Sequence, residues 1–214
     1  MTEVAVIRPL TSPPDVTIAV PGSRSITNRA LVCAALASGS SLLEGALASD
    51  DTEAMVDCLR RLGIAIEVDT ERVVVDGCGG EIPDLEVLLH TRLSGTTTRF
   101  MVALCALGHG TYRVDSDPPM RSRPMGDLIA ALRDLGAEIS SVGDGLPLVV
   151  DGHGLVGGAV AVRGDASSQF LSGLMLAAPA MRDGLEVRVE GELMSRPYVE
   201  MTRRVMAMFG ASVE

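Results

Sequence analysis

The sequence has 214 residues, is 47% hydrophobic and carries a net charge of −10 at pH 7. This length and apolar content predict a globular protein with a sizeable core. The acidic balance excludes binding of nucleic acid through a basic surface, because such binding needs cationic side chains that displace the counterions of phosphates.

Composition also limits the location and the chemistry of the protein. Its apolar stretches, such as "RALVCAALASG", are too short to cross a bilayer. The opening residues "MTEVAVIRPL" lack the basic lead and apolar run of a secretory signal, so we expect a cytoplasmic protein. The four cysteines show no close pairing and the three histidines are isolated, so no metal site is expected.

Residues 1–14 stand apart from the rest of the chain. Here "TEVAVIRP" predicts a strand, and "LTSPPD" predicts a turn-rich linker. We expect this segment to pair with structure outside the domain that residues 15–214 form.

Residues 15–214 contain a threefold internal repeat, with units at about 15–90, 91–160 and 161–214. Each unit predicts a helix, a strand, a second helix and then two strands, but the third ends at "GASVE", within its first closing strand. The glycines that end the second helices are spaced by 73 and 74 residues: Gly63, Gly136 and Gly210. Equivalent positions in the first helices recur every 70 residues: Arg29, Arg99 and Gln169.

The first helices all begin with small hydroxyl residues, in "RSITN", "SGTTT" and "ASSQ". Free backbone N–H groups and the helix dipole favour an anion at such a position, although Ser and Thr are also common N-caps. Six arginines lie at or near helix starts: Arg24, Arg29, Arg99, Arg121, Arg123 and Arg196. Because arginine binds phosphate and carboxylate in a bidentate manner, the pattern favours a site for a small polyanion, with scattered ion pairs as the alternative.

Six segments, in order along almost the whole chain, resemble the 5-enolpyruvylshikimate-3-phosphate synthase family. They are "PGSRSITNRAL", "SDDTEAM", "SGTTTRF", "MRSRPMGDLIAALRDLGA", "DASSQFLSGLMLAAP" and "SRPYVEMT". The resemblance implies an α/β (α+β) chain: one domain of the enolpyruvyl transferase fold, with three βαβαββ repeats around a pseudo-threefold axis and the third truncated. Members of the family are about twice as long, so we expect an N-terminal half whose first strand belongs to the second domain.

The resemblance also implies a reaction. It is transfer of the enolpyruvyl group of phosphoenolpyruvate to the 5-hydroxyl of shikimate 3-phosphate, through a tetrahedral intermediate, with release of phosphate and no metal or organic cofactor. Two anionic substrates suit arginine clamps and helix N-termini. The expected partners are these substrates and the C-terminal half of the enzyme, with no nucleic acid and no membrane. The proton-transfer groups belong to that other half, so no catalytic residue is expected here.

The motifs imply individual substrate contacts. The positions that match contacts to shikimate 3-phosphate are Ser25, Arg29, Ser167, Ser168, Ser195 and Tyr198. Those that match contacts to phosphoenolpyruvate are Gly95 and Arg123, with Gln169 between the two substrates and Arg24 in the position of a lysine. Arg24 keeps the positive charge but does not readily give up a proton.

Two further positions depart from the family pattern. Leu93 stands where many members have asparagine, and Phe100 stands where proline is common. Loss of the asparagine removes one polar contact to phosphoenolpyruvate, and Phe100 is expected to shift the helix that carries Gly95.

Two other interpretations of the sequence remain. The related UDP-N-acetylglucosamine enolpyruvyl transferases share the fold, but their mobile loop carries a cysteine where "DPPMRSRPMG" has Met120. A non-catalytic half that acts only after pairing with a complementary chain is the second alternative, and exposed apolar surface would mark its missing interface.

Overall fold

The computed structural model describes residues 5–6, 8–70, 72–83, 86–165 and 167–214. Within these ranges the helices are α1 (Arg24–Leu36), α2 (Asp50–Arg61), α3 (Gly95–Cys105), α4 (Pro118–Arg121), α5 (Gly126–Asp134), α6 (Ser168–Ala177) and α7 (Arg196–Met208), with a 3-10 turn at Ala178–Ala180. The strands are β1 (Ser38–Glu44), β2 (Ala65–Asp69), β3 (Arg72–Cys78), β4 (Glu86–His90), β5 (Thr111–Asp115), β6 (Glu138–Ser141), β7 (Leu148–Asp151), β8 (Gly158–Arg163) and β9 (Leu185–Glu190). None of the described helices is long and apolar enough to span a membrane.

The strands form three separate sheets. In the first, β3 lies between β1 and β2 and is antiparallel to both. In the second, β7 lies in the same way between β5 and β6, and β4 adds to β5 in parallel. The third sheet pairs β8 with β9 in parallel. The second sheet with α3 and α5 is therefore a full βαβαββ unit.

The helix stops repeat as the sequence predicts. Gly63, Gly136 and Gly210 have φ of +87°, +99° and +83°, which is the left-handed conformation that glycine adopts without strain. The N–H of the residue after each glycine donates to the carbonyl five residues earlier, at 3.1, 2.9 and 3.1 Å. This is the Schellman pattern of helix termination, and it recurs in all three units.

A hydrogen bond from an arginine side chain to the strand after these helix ends is present in only two units. The Arg60 guanidinium donates to the Ile66 carbonyl at 2.7 Å, and Arg133 donates to Ile139 at the same distance. The equivalent position in the third unit is Ala207. The third unit therefore lacks a side chain that fixes its closing segment.

The observed strand pairing places the boundaries between the repeat units at other residues than the sequence pattern predicted. Because β4 pairs with β5, with Leu89 opposite Val114, the second unit begins at Glu86 and not near residue 91. Likewise β8 pairs with β9, so the third unit begins at Gly158. Neither strand was predicted from the sequence, and both are short.

Two predicted strands have no counterpart among the described residues. The strand expected within residues 1–14 falls partly on residues 1–4 and 7, which lie outside the described ranges, and the described residues between 5 and 14 form no strand. Residues 211–214 follow α7 without strand pairing. A β-strand needs a neighbour to satisfy its backbone groups, and the described chain offers these residues none.

The core is aliphatic and centres on three helices. α1, α3 and α6 contact one another, and α3 is buried from Thr97 to Cys105 without interruption. α7, by contrast, buries only Thr202, Val205 and Met206. Because the first helix of each unit lies inside, the N-termini of these helices meet at one end of the domain.

The packing of α1 on its sheet depends on a glycine. A methyl group at Gly77 in β3 would lie 2.2 Å from the Ala37 carbonyl oxygen and 2.4 Å from that of Ala34. Both atoms belong to the backbone at the end of α1, so neither moves easily. Gly77 therefore sets the distance between helix and sheet.

We expect Gly77→Ala to lower the free energy of unfolding by about 1–3 kcal/mol, because overpacking forces the backbone to shift. Urea unfolding of the purified chain measures this change. Gly145→Ala is the control, since its methyl group would lie 3.6 Å from the nearest atom, the Arg121 carbonyl oxygen. Equal stability of the two variants would contradict the close approach of α1 to β3.

Candidate anion-binding site

The N-termini of four helices open into one cleft of about 370 Å³. Nine of the ten predicted substrate contacts line it: Arg24, Ser25, Arg29, Gly95, Arg123, Ser167, Ser168, Gln169 and Tyr198. The tenth, Ser195, precedes α7 with φ +54° and is not among the lining residues. Residues that are far apart in sequence therefore meet in one place, from α1, α3, α6, α7 and the loop after α4.

These helix starts lack the acidic side chains that usually occupy such positions. α1, α3, α6 and α7 have no acidic residue in the first turn, whereas α2 and α5 do. Ser94 and Ser167 cap α3 and α6 by accepting from the backbone N–H of Thr97 and Gln169. Capping thus accounts for two serines, and none of these four helix ends has a carboxylate of its own. The one carboxylate among the residues that line the cleft is Asp51 in the first turn of α2, and it is paired with Arg24.

Most of the cationic charge in the cleft is also unneutralised. Arg24 pairs with Asp51 at 3.3 Å. Arg29, Arg99 and Arg123 have no carboxylate oxygen within 4 Å in the described part of the chain, although ten arginines outside the cleft form such pairs. A negative ligand is the partner that this arrangement lacks.

Two of the six arginines predicted at helix starts lie away from the cleft. Arg121 forms a two-point ion pair with Asp115, at 2.8 and 2.6 Å. Arg196 lines a separate groove. The prediction of one convergent cluster therefore holds for four arginines, and the ion-pair alternative describes Arg121.

Arg29 is held inside the core. Its Nε donates to the Thr202 hydroxyl at 2.7 Å, and its terminal nitrogens donate to the Ser25 carbonyl at 2.9 Å and the Ser172 hydroxyl at 3.2 Å. The guanidinium lies 5.3 Å from the centre of the Phe100 ring. Burial lowers the pKa of Arg29 to about 10, so the group stays charged at neutral pH.

Arg99 is the second buried cation, and the motifs did not assign it a substrate contact. It is 7% exposed and lies over the Phe170 ring at 5.1 Å. One terminal nitrogen donates to the Gln169 amide oxygen, and the Gln169 amide nitrogen donates to Thr96 at 2.9 Å. Among the described residues its Nε has no hydrogen-bond partner. Burial and then the nearby Arg123 lower the pKa of Arg99.

Gly95 leaves the space between the two cations open. A methyl group there would lie 3.2 Å from an Arg99 nitrogen and 3.3 Å from an Arg123 nitrogen. Glycine at the first position of α3 therefore lets an anion approach both guanidinium groups and the free N–H groups of the helix together.

Three further residues line the cleft, although the family motifs did not assign them a substrate contact. Thr96, Arg99 and Asp51 line the cleft; the 70-residue spacing from Arg29 could have indicated Arg99, but no pattern indicates Asp51. Leu93 lies at the rim and is 55% exposed, whereas Phe100 is fully buried beneath Arg29. The described residues contain no cluster of three or more metal-ligating side chains.

Fold and cleft together define a class: an α/β domain of repeated units whose central helices present their N-termini and buried arginines to one cleft. A family model for EPSP synthase (3-phosphoshikimate 1-carboxyvinyltransferase) matches residues 11–214. The chain belongs to this family, and the predicted family and fold are confirmed.

Individual relatives agree with this assignment. The chain is 44% identical over 208 residues to the 3-phosphoshikimate 1-carboxyvinyltransferase of Trichormus variabilis, covering 95% of this chain and 49% of that protein. It is 41% identical over 210 residues to the chloroplastic enzyme 1 of Nicotiana tabacum, covering 92% and 40%. A solved EPSP synthase from Acinetobacter baumannii matches with a TM-score of 0.76 and 26% identity, over 87% of this chain and 42% of that one. The chain thus spans about half the length of the relatives it matches.

We expect Arg99→Met to raise the free energy of unfolding by about 1 kcal/mol in the absence of anions, because it removes a buried charge without a counter-charge. The same change should reduce the stabilisation that added inorganic phosphate confers, since binding to the folded state adds to stability. Urea unfolding with and without phosphate measures both effects.

The control for this variant is Arg182→Met, whose side chain is 72% exposed beside Asp183 and should change neither quantity. If Arg99→Met lowers stability while phosphate stabilises it as much as the original chain, Arg99 is only a packing residue.

Gly95→Ala should weaken phosphate binding about tenfold, which is about 1.4 kcal/mol, because its methyl group fills the space between Arg99 and Arg123. Stability should change by less than about 0.5 kcal/mol, since the position tolerates alanine in a helix. Titration calorimetry with inorganic phosphate measures the affinity. Gly126→Ala, at the first position of α5, is the matched control, and an equal loss there would place the anion elsewhere.

Proposed function

We propose that this chain binds shikimate 3-phosphate, and contributes to the site for phosphoenolpyruvate, as one part of an enolpyruvyl transferase. That enzyme moves the enolpyruvyl group to the 5-hydroxyl of shikimate 3-phosphate and releases phosphate. The observation that carries the proposal is the cleft, in which four helix N-termini and three unneutralised arginines face a volume suited to small anions.

The two sides of the cleft suit the two substrates. The hydroxyl residues Ser25, Ser167 and Ser168 at the starts of α1 and α6 suit the phosphate and hydroxyl groups of shikimate 3-phosphate. Gly95 and Arg123 suit the phosphate or carboxylate of phosphoenolpyruvate. Gln169 then lies between the two substrates.

The orientation of Gln169 follows from its neighbours. Because its amide oxygen accepts from Arg99, its amide nitrogen is turned towards Thr96, to which it donates at 2.9 Å. The side chain is therefore held by two partners at the position between the two substrates. Such preorganisation lowers the cost of positioning two reactants.

The cleft supplies electrostatic stabilisation more readily than proton transfer. Attack by the 5-hydroxyl on the substituted alkene carbon forms a C–O bond while the hydroxyl loses its proton and the CH₂ carbon gains one. Loss of phosphate, and of a proton from the CH₃ group so formed, then restores the double bond. Asp51 is the one carboxylate among the lining residues, and it is ion-paired with Arg24. A guanidinium group does not readily give up a proton, so this chain is expected to bind but not to turn over.

Titration of the chain with shikimate 3-phosphate should show binding that is at least tenfold tighter than binding of unphosphorylated shikimate, because the phosphate is the group that the helix N-termini and arginines attract. Ser168→Ala should weaken this binding, and Ser140→Ala, on the exposed side of β6, should not. Equal affinity for the two ligands would overturn the assignment of the cleft.

Phosphate release from phosphoenolpyruvate, dependent on shikimate 3-phosphate, tests the second part of the proposal. The chain alone should release none. Release should begin when the unmatched part of the Trichormus variabilis relative is supplied as a separate chain. Steady release without that addition would show that the chain contains its own proton-transfer groups.

A further inference from the structure

The turn that leads into α3 has a backbone conformation that its residue type does not favour. Arg92 has φ of +53°, and the Ser94 N–H donates to the Thr91 carbonyl at 3.1 Å, so Arg92 is the second residue of a tight turn. Turns with positive φ at that position favour glycine, asparagine or aspartate, because a β-carbon crowds the backbone in the left-handed region. A contact outside the turn is therefore needed to hold it in this form.

Two carboxylates of α2 hold the side chain of Arg92. One terminal nitrogen lies 3.1 Å from the Glu53 carboxylate, and the other lies 2.5 Å from the Asp57 carboxylate. These carboxylates are four residues apart on one helix face, where two like charges repel each other, so the cation between them also stabilises α2. The equivalent positions of α5, 73 residues later, are Gly126 and Ala130. The bridge is therefore a feature of this turn and not of the repeated fold.

The first two amides of α3 lie between this turn and a second link to α2. The Thr97 N–H donates to the Ser94 hydroxyl at 3.2 Å, and the Thr97 hydroxyl donates to the Asp51 carbonyl of α2 at 3.0 Å. The N–H groups of Gly95 and Thr96 lack intrahelical acceptors because they open the helix, and both residues line the cleft. Links to α2 thus flank, on both sides, the two amides that this helix start offers to an anion.

We propose that Arg92 is a positioning residue for the anion cleft. Its bridge to α2 offsets the cost of the left-handed turn, and the turn sets the direction of the Gly95 and Thr96 N–H groups. Without the bridge the turn relaxes towards negative φ, and only the molecules that keep its form bind an anion through both amides. The anion is a phosphate or a carboxylate. Its identity as part of phosphoenolpyruvate rests on the proposed function, whereas the direction of the amides rests on the turn.

Replacement of Arg92 by alanine and by glycine separates turn geometry from charge. Both changes remove the bridge, but glycine adopts positive φ without strain. Arg92→Ala should lower the affinity for inorganic phosphate about tenfold, because a β-carbon disfavours the left-handed region by about that factor. Arg92→Gly should stay within about threefold of the original chain. Titration followed by the NMR amide signals of Gly95 and Thr96 measures the affinity at the cleft itself.

Removal of a partner carboxylate distinguishes positioning from charge by the direction of the change. Asp57→Ala removes a negative charge, which by electrostatics alone would strengthen phosphate binding. Because the change also releases one side of the bridge, we expect binding to weaken by about threefold or more. The control Glu186→Ala removes an exposed carboxylate that pairs with Arg188 at 3.0 Å on β9, and it should leave the affinity unchanged.

Three results would overturn the proposal. Equal losses in Arg92→Ala and Arg92→Gly would show that charge alone explains both. Unchanged affinity in Arg92→Ala would show that the bridge does not act on the cleft, and tighter binding by Asp57→Ala would show the same. Urea unfolding establishes that each variant is folded. If Arg92→Ala does not fold, the direction of the change in Asp57→Ala decides.

The same samples are then titrated with shikimate 3-phosphate and with shikimate. Equal affinity for these two ligands would overturn the proposed function and leave the role of Arg92 intact. If phosphate does not shift the Gly95 and Thr96 amide signals in the original chain, the role of Arg92 is overturned, while the proposed function still depends on the binding of shikimate 3-phosphate.

Discussion

Positive charge that the protein does not neutralise is the constraint on which the rest of the structure depends. Arg29 and Arg99 lie in an aliphatic interior, each beside a phenylalanine ring of a neighbouring helix and bonded to neutral groups. Burying a charge without a counter-ion costs free energy, so the fold has to supply rings, hydroxyls and carbonyls around both. Helices α1, α3 and α6 provide these groups. Their N-termini also form the cleft, so the same helices build both the core and the site.

The internal repeat explains how a short chain builds this arrangement. Each unit places its first helix inside and its second helix outside, with a glycine that ends the second helix in the same way each time. Arg29 and Arg99 occupy equivalent positions, and so do Phe100 and Phe170 one residue later in α3 and α6. The stacking of one unit's arginine on the next unit's ring therefore occurs twice, and Gln169 takes the third position. Replacing arginine by glutamine there lets the third unit bond to the second without adding another buried charge.

Much of the fold could be predicted from the sequence, because helix stops, apolar periodicity and the repeat are local signals. The gathering of Arg24, Gly95, Arg123 and Gln169 in one cleft was predictable only from the motifs taken together. Asp51 was not predictable as a lining residue, since its place depends on how α2 packs beside α1. Arg29 was assigned a substrate contact, yet most of its hydrogen-bonding capacity is used within the core, which no sequence pattern indicates. The strands β4 and β8 were missed because their parallel partners lie more than twenty residues further along the chain.

The bond from Arg29 to Thr202 links two parts of the domain that otherwise have separate roles. Thr202 belongs to α7, and α7 also carries Arg196 and Met206, which line a separate groove. Any contact that holds α7 firmly in that groove also holds the acceptor of a cation in the anion cleft. By thermodynamic reciprocity, a contact to α7 that strengthened anion binding would itself be strengthened by the anion to the same extent. The anion cleft and the outer surface of the domain therefore share α7 as a structural element.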